Sequence, residues 1–90
     1  MKLEREIVVV NKLGLHARAA SRLVKLTGGF ESVIMLVKDG KMVDAKSIMG
    51  IMMLAATQGS EIRLLVDGPD AEYAADAVCN IFADCFGEGE

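Results

Sequence analysis

Residues 11–20 read Asn-Lys-Leu-Gly-Leu-His-Ala-Arg-Ala-Ala and carry the only histidine of a 90-residue chain. The stretch joins an apolar run, Ile7-Val8-Val9-Val10, to a helical pattern that begins at Ala17. His16 therefore falls where the residue capping that helix belongs. Ser, Thr, Asp or Asn is usual there, because a side-chain oxygen satisfies N–H groups that lack a partner inside the helix. Imidazole does this poorly. The first-turn amides are left available to an anion, and the helix dipole favours negative charge at that end. Arg18, two residues on, offers a planar guanidinium able to grip phosphate through two hydrogen bonds. An isolated histidine would more simply fill a turn. With Gly14, Arg18 and a helix start beside it, the pattern points to a phosphoryl group on His16, held by Arg18 and by the backbone N–H groups of Ala17 and Arg18. A hydrolytic site is disfavoured: no cysteine lies near the histidine, and Ser21 has no nucleophile motif around it.

The elements that must position this loop follow from periodicity. Leu3, Arg5, Ile7 and Val9 alternate with Glu4, Glu6, Val8 and Val10, which predicts a strand buried on both faces near its end. Gly14 allows the sharp turn that follows. A helix is expected over 17–27, with Ala20, Leu23, Val24 and Thr27 as its buried stripe, stopping at Gly28-Gly29. A second strand is expected over 32–38. Asp39-Gly40 is a hairpin signal, and a short third strand spans 41–44. A fourth strand covers 60–67, with Ile62, Leu64 and Val66 on one face. Pro69 is expected at the first position of a last helix, with Asp70 and Glu72 near its positive end. Ala71, Ala74, Ala75, Val78, Ile81, Phe82 and Phe86 form its apolar stripe, and residues 87–90 read as a frayed tail. The order β-α-β-β-α-β-α is that of a two-layer α+β sandwich, one domain over residues 1–90.

Between the third and fourth strands, Ser47 is the expected N-cap of a second helix that runs on to Thr57-Gln58-Gly59. Residues 48–55, Ile-Met-Gly-Ile-Met-Met-Leu-Ala, contain no polar side chain. Helical spacing puts Ile48, Ile51, Leu54 and Ala55 on one side, as core. It puts Met49, Met52, Met53 and Ala56 on the other. If that side is exposed, it is an adaptable patch of thioethers suited to several partners. If it is covered, the methionines are core.

Charge narrows the partners. The net charge of −3 argues against nucleic acid, as does the lack of an aromatic pair on a strand for base stacking. Within 11–30, however, Lys12, Arg18, Arg22 and Lys25 stand with no acidic residue. Arg18, Arg22 and Lys25 recur at i, i+4 and i+7 and so share one helix face. A basic stripe beside the histidine suits phosphate or acidic proteins. No stretch is long enough to insert into a membrane, and charges interrupt the N-terminus, so a cytoplasmic location is expected. Cys79 and Cys85 would lie about 9 Å apart along a helix, beyond disulfide reach, and read as thiols. No metal-ligand spacing is present, and neither a metal nor a cofactor is expected.

Gly14-Leu15-His16-Ala17-Arg18-Ala19-Ala20 resembles the active-site signature Gly-Leu-His-Ala-Arg-Pro-Ala of HPr, the histidine-containing phosphocarrier family of the bacterial phosphoenolpyruvate-dependent phosphotransferase system. Lys46-Ser47-Ile48-Met49-Gly50 resembles the family's serine-phosphorylation signature. Element order and length match as well. The resemblance implies an open-faced sandwich, a four-stranded antiparallel sheet with three helices on one face. It implies phosphorylation of His16 through Nδ1 with help from Arg18, and a regulatory role for Ser47. It implies a carrier, not a turnover enzyme, that acts as a monomer between enzyme I and EIIA-type acceptor proteins, with an HPr kinase/phosphorylase as a further partner. Leu15, Arg22, Lys25, Ile48, Met49, Met52 and Met53 are then the expected partner surface. Ala19 departs from the family's proline and keeps an extra N–H at the helix start. The Asn-Lys-Leu-Gly opening also resembles the nitrogen-regulatory paralogue, a reading in which the chain acts mainly as a phosphorylation-dependent binding module.

Overall fold

The computed structural model describes residues 1–87. Its order is β1 (Lys2–Val8), α1 (Ala17–Thr27), β2 (Val33–Lys38), β3 (Lys41–Asp44), α2 (Ile48–Met53), β4 (Glu61–Asp67) and α3 (Ala71–Ala83), followed by a left-handed turn over Cys85–Gly87. The four strands form one antiparallel sheet in the order β1-β4-β2-β3. The helices cover one face of it. The other face is bare, so the expected open-faced sandwich is the observed one.

Alternation decides which side chains face the helices. Arg5, Leu64, Leu36 and Val43 stand opposite one another across the four strands, as do Leu3, Val66 and Ile34 across three. Leu36, Leu64, Ile34 and Val66 are buried against Leu23, Ile51, Val78 and Phe82 of the helices. β1 differs from the sequence expectation. Ile7 and Val9 are buried, whereas Val8 and Val10 are exposed, because nothing among the described residues covers the far side of the sheet. The Asp39-Gly40 hairpin has both central residues left-handed, at φ 50° and 80°, the twist that a two-residue turn between antiparallel strands requires.

Three helix boundaries fall elsewhere than periodicity put them. α2 ends at Met53 rather than running to Gly59. Leu54 caps it, Ala55 turns left-handed at φ 51°, and the Lys41 ammonium donates to the Met53 carbonyl at 3.1 Å. The early stop reverses two expected placements: Ala55 is exposed and Ala56 is buried. At α3, Asp70 rather than Pro69 borders the helix. Its carboxylate does not cap its own helix but accepts from Glu31 N (2.9 Å), Ser32 N (3.0 Å) and Ser32 Oγ (2.5 Å). Those bonds, the Ser32 hydroxyl foremost, hold its pKa below the ordinary 3.8. The last apolar residue, Phe86, is outside α3. Cys85, Phe86 and Gly87 are all left-handed, at φ 52°, 55° and 77°, which folds the Phe86 ring back onto Phe82 at a centroid distance of 4.8 Å. Gly87 thus belongs to an ordered turn, and the rest of the expected tail lies outside the described residues. Cys79 and Cys85 are both free and half-buried, and burial pushes the Cys79 thiol up.

Candidate functional site

The loop from β1 to α1 is built around Gly14 and Asn11. Gly14 has φ +67°, and a Cβ there would stand 2.4 Å from the Ala56 carbonyl oxygen. Only glycine permits both the conformation and the approach. Asn11 is fully buried; its Nδ2 donates to the Gly14 carbonyl at 2.6 Å, and its own carbonyl accepts from Gly14 N at 3.2 Å. Leu15 N then donates to the Ala56 carbonyl at 2.9 Å. The loop is pinned from within by Asn11 and from outside by the residue that follows α2's left-handed stop.

Those constraints deliver His16 to the cap position of α1, with φ −77° and ψ 177°. Its carbonyl accepts the first intrahelical bond, from Ala20 N at 2.9 Å, while its ring makes no capping bond. The half-buried imidazole stands at the positive end of an 11-residue helix with no acidic residue in its first turn. Ala17 and Arg18 are exposed beside it. Ala19 is fully buried, so the position that departs from the family's proline packs inward.

The expected stripe of Arg18, Arg22 and Lys25 divides. Arg18 and Lys25 are exposed, and no ion pair among the described residues engages them. Arg22 is half-buried and donates through Nη1 to the Phe86 carbonyl at 2.6 Å, so it fastens the C-terminal turn to α1. Leu15 was expected at the partner surface, but it is only 5% exposed and belongs to the core. The loop turns at Gly14 and brings the Leu15 side chain inward as its N–H meets Ala56.

α1 and α2 pack side by side. Ser47 caps α2 as expected, its Oγ accepting from Gly50 N at 3.1 Å. Met49 is 72% exposed and Met53 60%; Met52 and Ile48 are exposed less fully. Ile48 was expected as both core and partner surface, and the structure places it outside. Ile51 and Leu54 supply the core contact. A half-buried histidine at a helix start, an exposed arginine and an exposed methionine patch thus lie on the helical side of the molecule.

A family model described as the PTS HPr component phosphorylation site matches residues 3–84. The chain belongs to the HPr family. The phosphocarrier protein HPr of Cupriavidus necator is 52% identical over 88 residues, covering 98% of this chain and 99% of the relative. The phosphocarrier protein NPr of Shewanella violacea is 44% identical over 87 residues, covering 97% and 96%. The crystal structure of HPr from Thermoanaerobacter tengcongensis superposes with a TM-score of 0.92 at 44% identity, covering 96% and 97% of the two chains. HPr proteins are phosphocarriers of the phosphotransferase system and not stand-alone enzymes.

The buried Asn11 holds the loop through the Gly14 carbonyl, a role that its place in the motif does not declare. The available signal was its type, since Asn bonds to nearby backbone in turns. The role of Ala56 had no signal, because its partner Leu15 is 41 residues away in the chain and the contact depends on where α2 stops.

Proposed function

We propose that the chain carries a phosphoryl group on His16 Nδ1 between phosphorylated enzyme I and EIIA-type acceptors of the phosphoenolpyruvate-dependent sugar phosphotransferase system, in the cytoplasm. The observation that carries this reading is the placement of a non-capping histidine at the start of α1, where the N–H groups of Ala17 and Arg18 have no acceptor within the helix. In the forward step the Nδ1 lone pair forms a bond to phosphorus. The donor's bond to phosphorus breaks, and its electron pair stays on the donor. The new anion meets the first-turn amides, the helix dipole and the Arg18 guanidinium. Transfer onward reverses the step, with the acceptor as nucleophile. Among the described residues no helix is long and apolar enough to cross a membrane.

The exposed Met49, Met52, Met53 and Ile48, with Lys25 and Arg18, form the docking surface for these partners. Arg22 contributes by holding structure rather than by contact. Ser47 is a site for an HPr kinase/phosphorylase. A phosphate at its Oγ would sit at the start of α2 beside the methionines, repel an acidic partner and slow transfer. Ser47→Asp is expected to slow the step without unfolding the chain.

The test is labelling with phosphoenolpyruvate and enzyme I, comparing wild type with His16→Ala. Acid-labile label lost in the variant supports the reading, and no label with a competent donor overturns it. The 44% identity to an NPr favours one second reading, in which the acceptors belong to a nitrogen branch and the chain acts chiefly as a phosphorylation-dependent binding module. Comparing transfer to sugar-branch and nitrogen-branch acceptors separates the two.

A further inference from the structure

The bare face of the sheet is not the bland polar surface expected of a covered sheet's outer side. Val33, Met35, Leu65, Val37 and Met42 point outward and adjoin through the register, Met35 opposite Leu65 and Val37 opposite Met42. Val33 is 58% exposed and Met42 56%. A shallow groove of about 480 Å³ runs along this strip at the Lys2 end of β1 and is lined by Val33, Met35, Leu65, Glu4 and Asp67 among others. The same face carries five carboxylates, Glu4, Glu6, Asp44, Glu61 and Asp67, against two cations, Lys2 and Arg63. One cation is partly engaged already, Arg63 Nε standing 3.7 Å from Glu4. The face is therefore apolar along its middle and negative around it, the opposite sign to the basic surface of α1.

We propose that this open face docks a basic amphipathic helix of a second protein. Charge selects the occupant. A second copy meeting it face to face, an anionic membrane or a nucleic acid would each bring like charge against the carboxylates, and the apolar stripe that a second copy's basic α1 would need is already buried in its own core. A helix with an apolar stripe and flanking lysines or arginines matches both parts of the surface. It would lie on the sheet as α1 and α3 lie on the other side. The sheet separates this face from His16, so a partner held here leaves the helical side open to acidic proteins. The chain would then bridge two partners of opposite charge. This role stands apart from phosphoryl transfer and does not depend on it.

The test uses the whole chain, uniformly nitrogen-15 labelled, titrated with a synthetic amphipathic helix of leucine and lysine at low salt and at high salt. Amide shifts confined to β2, β4 and the neighbouring residues of β1 and β3 are expected. Val33→Lys and Glu4→Gln/Glu6→Gln, both at exposed positions, should each weaken binding about tenfold, with His16 labelling unchanged and the fold retained in the amide spectrum. Shifts centred on the methionines of α2, shifts spread over the whole surface, or no saturable binding would overturn the proposal. Dimerisation through the sheet in sedimentation equilibrium would overturn it too, by giving the face to a second copy.

Discussion

The Leu15 amide donates to the Ala56 carbonyl at 2.9 Å, and this bond joins the histidine loop to the segment that leaves the methionine-rich helix. Gly14 makes the approach possible. Its backbone is left-handed, and its missing Cβ is the space that the Ala56 oxygen occupies. Gly14→Ala should therefore destabilise the fold by more than about 2 kcal/mol, because strain and overlap add. Chemical denaturation measures this. The surviving folded fraction should also accept phosphate more slowly, since the loop that sets His16 must shift.

Two residues that the sequence placed together on the partner surface should separate by experiment. Leu15→Ala removes a core side chain and should cost about 2–4 kcal/mol. Met49→Ala removes an exposed one and should change stability by no more than about 0.5 kcal/mol, while weakening binding to enzyme I. Thermal melts paired with calorimetric titration check both. A large stability loss for Met49→Ala would mean that the thioether is packed.

Arg22 should behave as a strut. Loss of its charge-assisted bond to the Phe86 carbonyl in Arg22→Ala should cost about 1.5 kcal/mol or somewhat less, given its partial exposure. Arg22→Lys should recover part of that. Hydrogen exchange at Phe86 and Gly87 should rise in Arg22→Ala, because two non-glycine residues there are held left-handed.

Asp70 predicts a pH dependence. Its folded pKa lies below the ordinary 3.8, so its ionised form is favoured by folding. That contribution is fully present above the ordinary value and is lost as pH falls through the folded one. Asp70→Asn should be less stable than wild type at neutral pH, and the gap should close in the acid range below 3.8. Denaturant midpoints for the two proteins across pH test the sign. A gap that persists at the acid end would assign the effect to geometry rather than to charge.

Much of the site was legible because its signals are local. His16 before a helical pattern, Ser47 before another and Asp39-Gly40 between alternating runs each declare themselves within a few residues, since caps and turns are short-range devices. Element order and the inward face of each strand follow in the same way from periods of 2 and 3.6, whereas the exposure of Val8 and Val10 does not. What periodicity leaves open concerns the neighbours of each element. Leu15, Arg22 and Ile48 have types and spacing that allow either surface or interior.

The sequence by itself determined the four strands, the three helices and the candidate phosphoryl site at a helix start, because backbone propensity, capping and turn chemistry act between near neighbours. Tertiary structure alone decided that Leu15 is core, that Arg22 serves the Phe86 turn, that α2 stops early to present Ala56, and that one sheet face stays bare. Those outcomes depend on which distant segments meet, and loop closure between residues 41 or 64 positions apart leaves no mark in the local pattern.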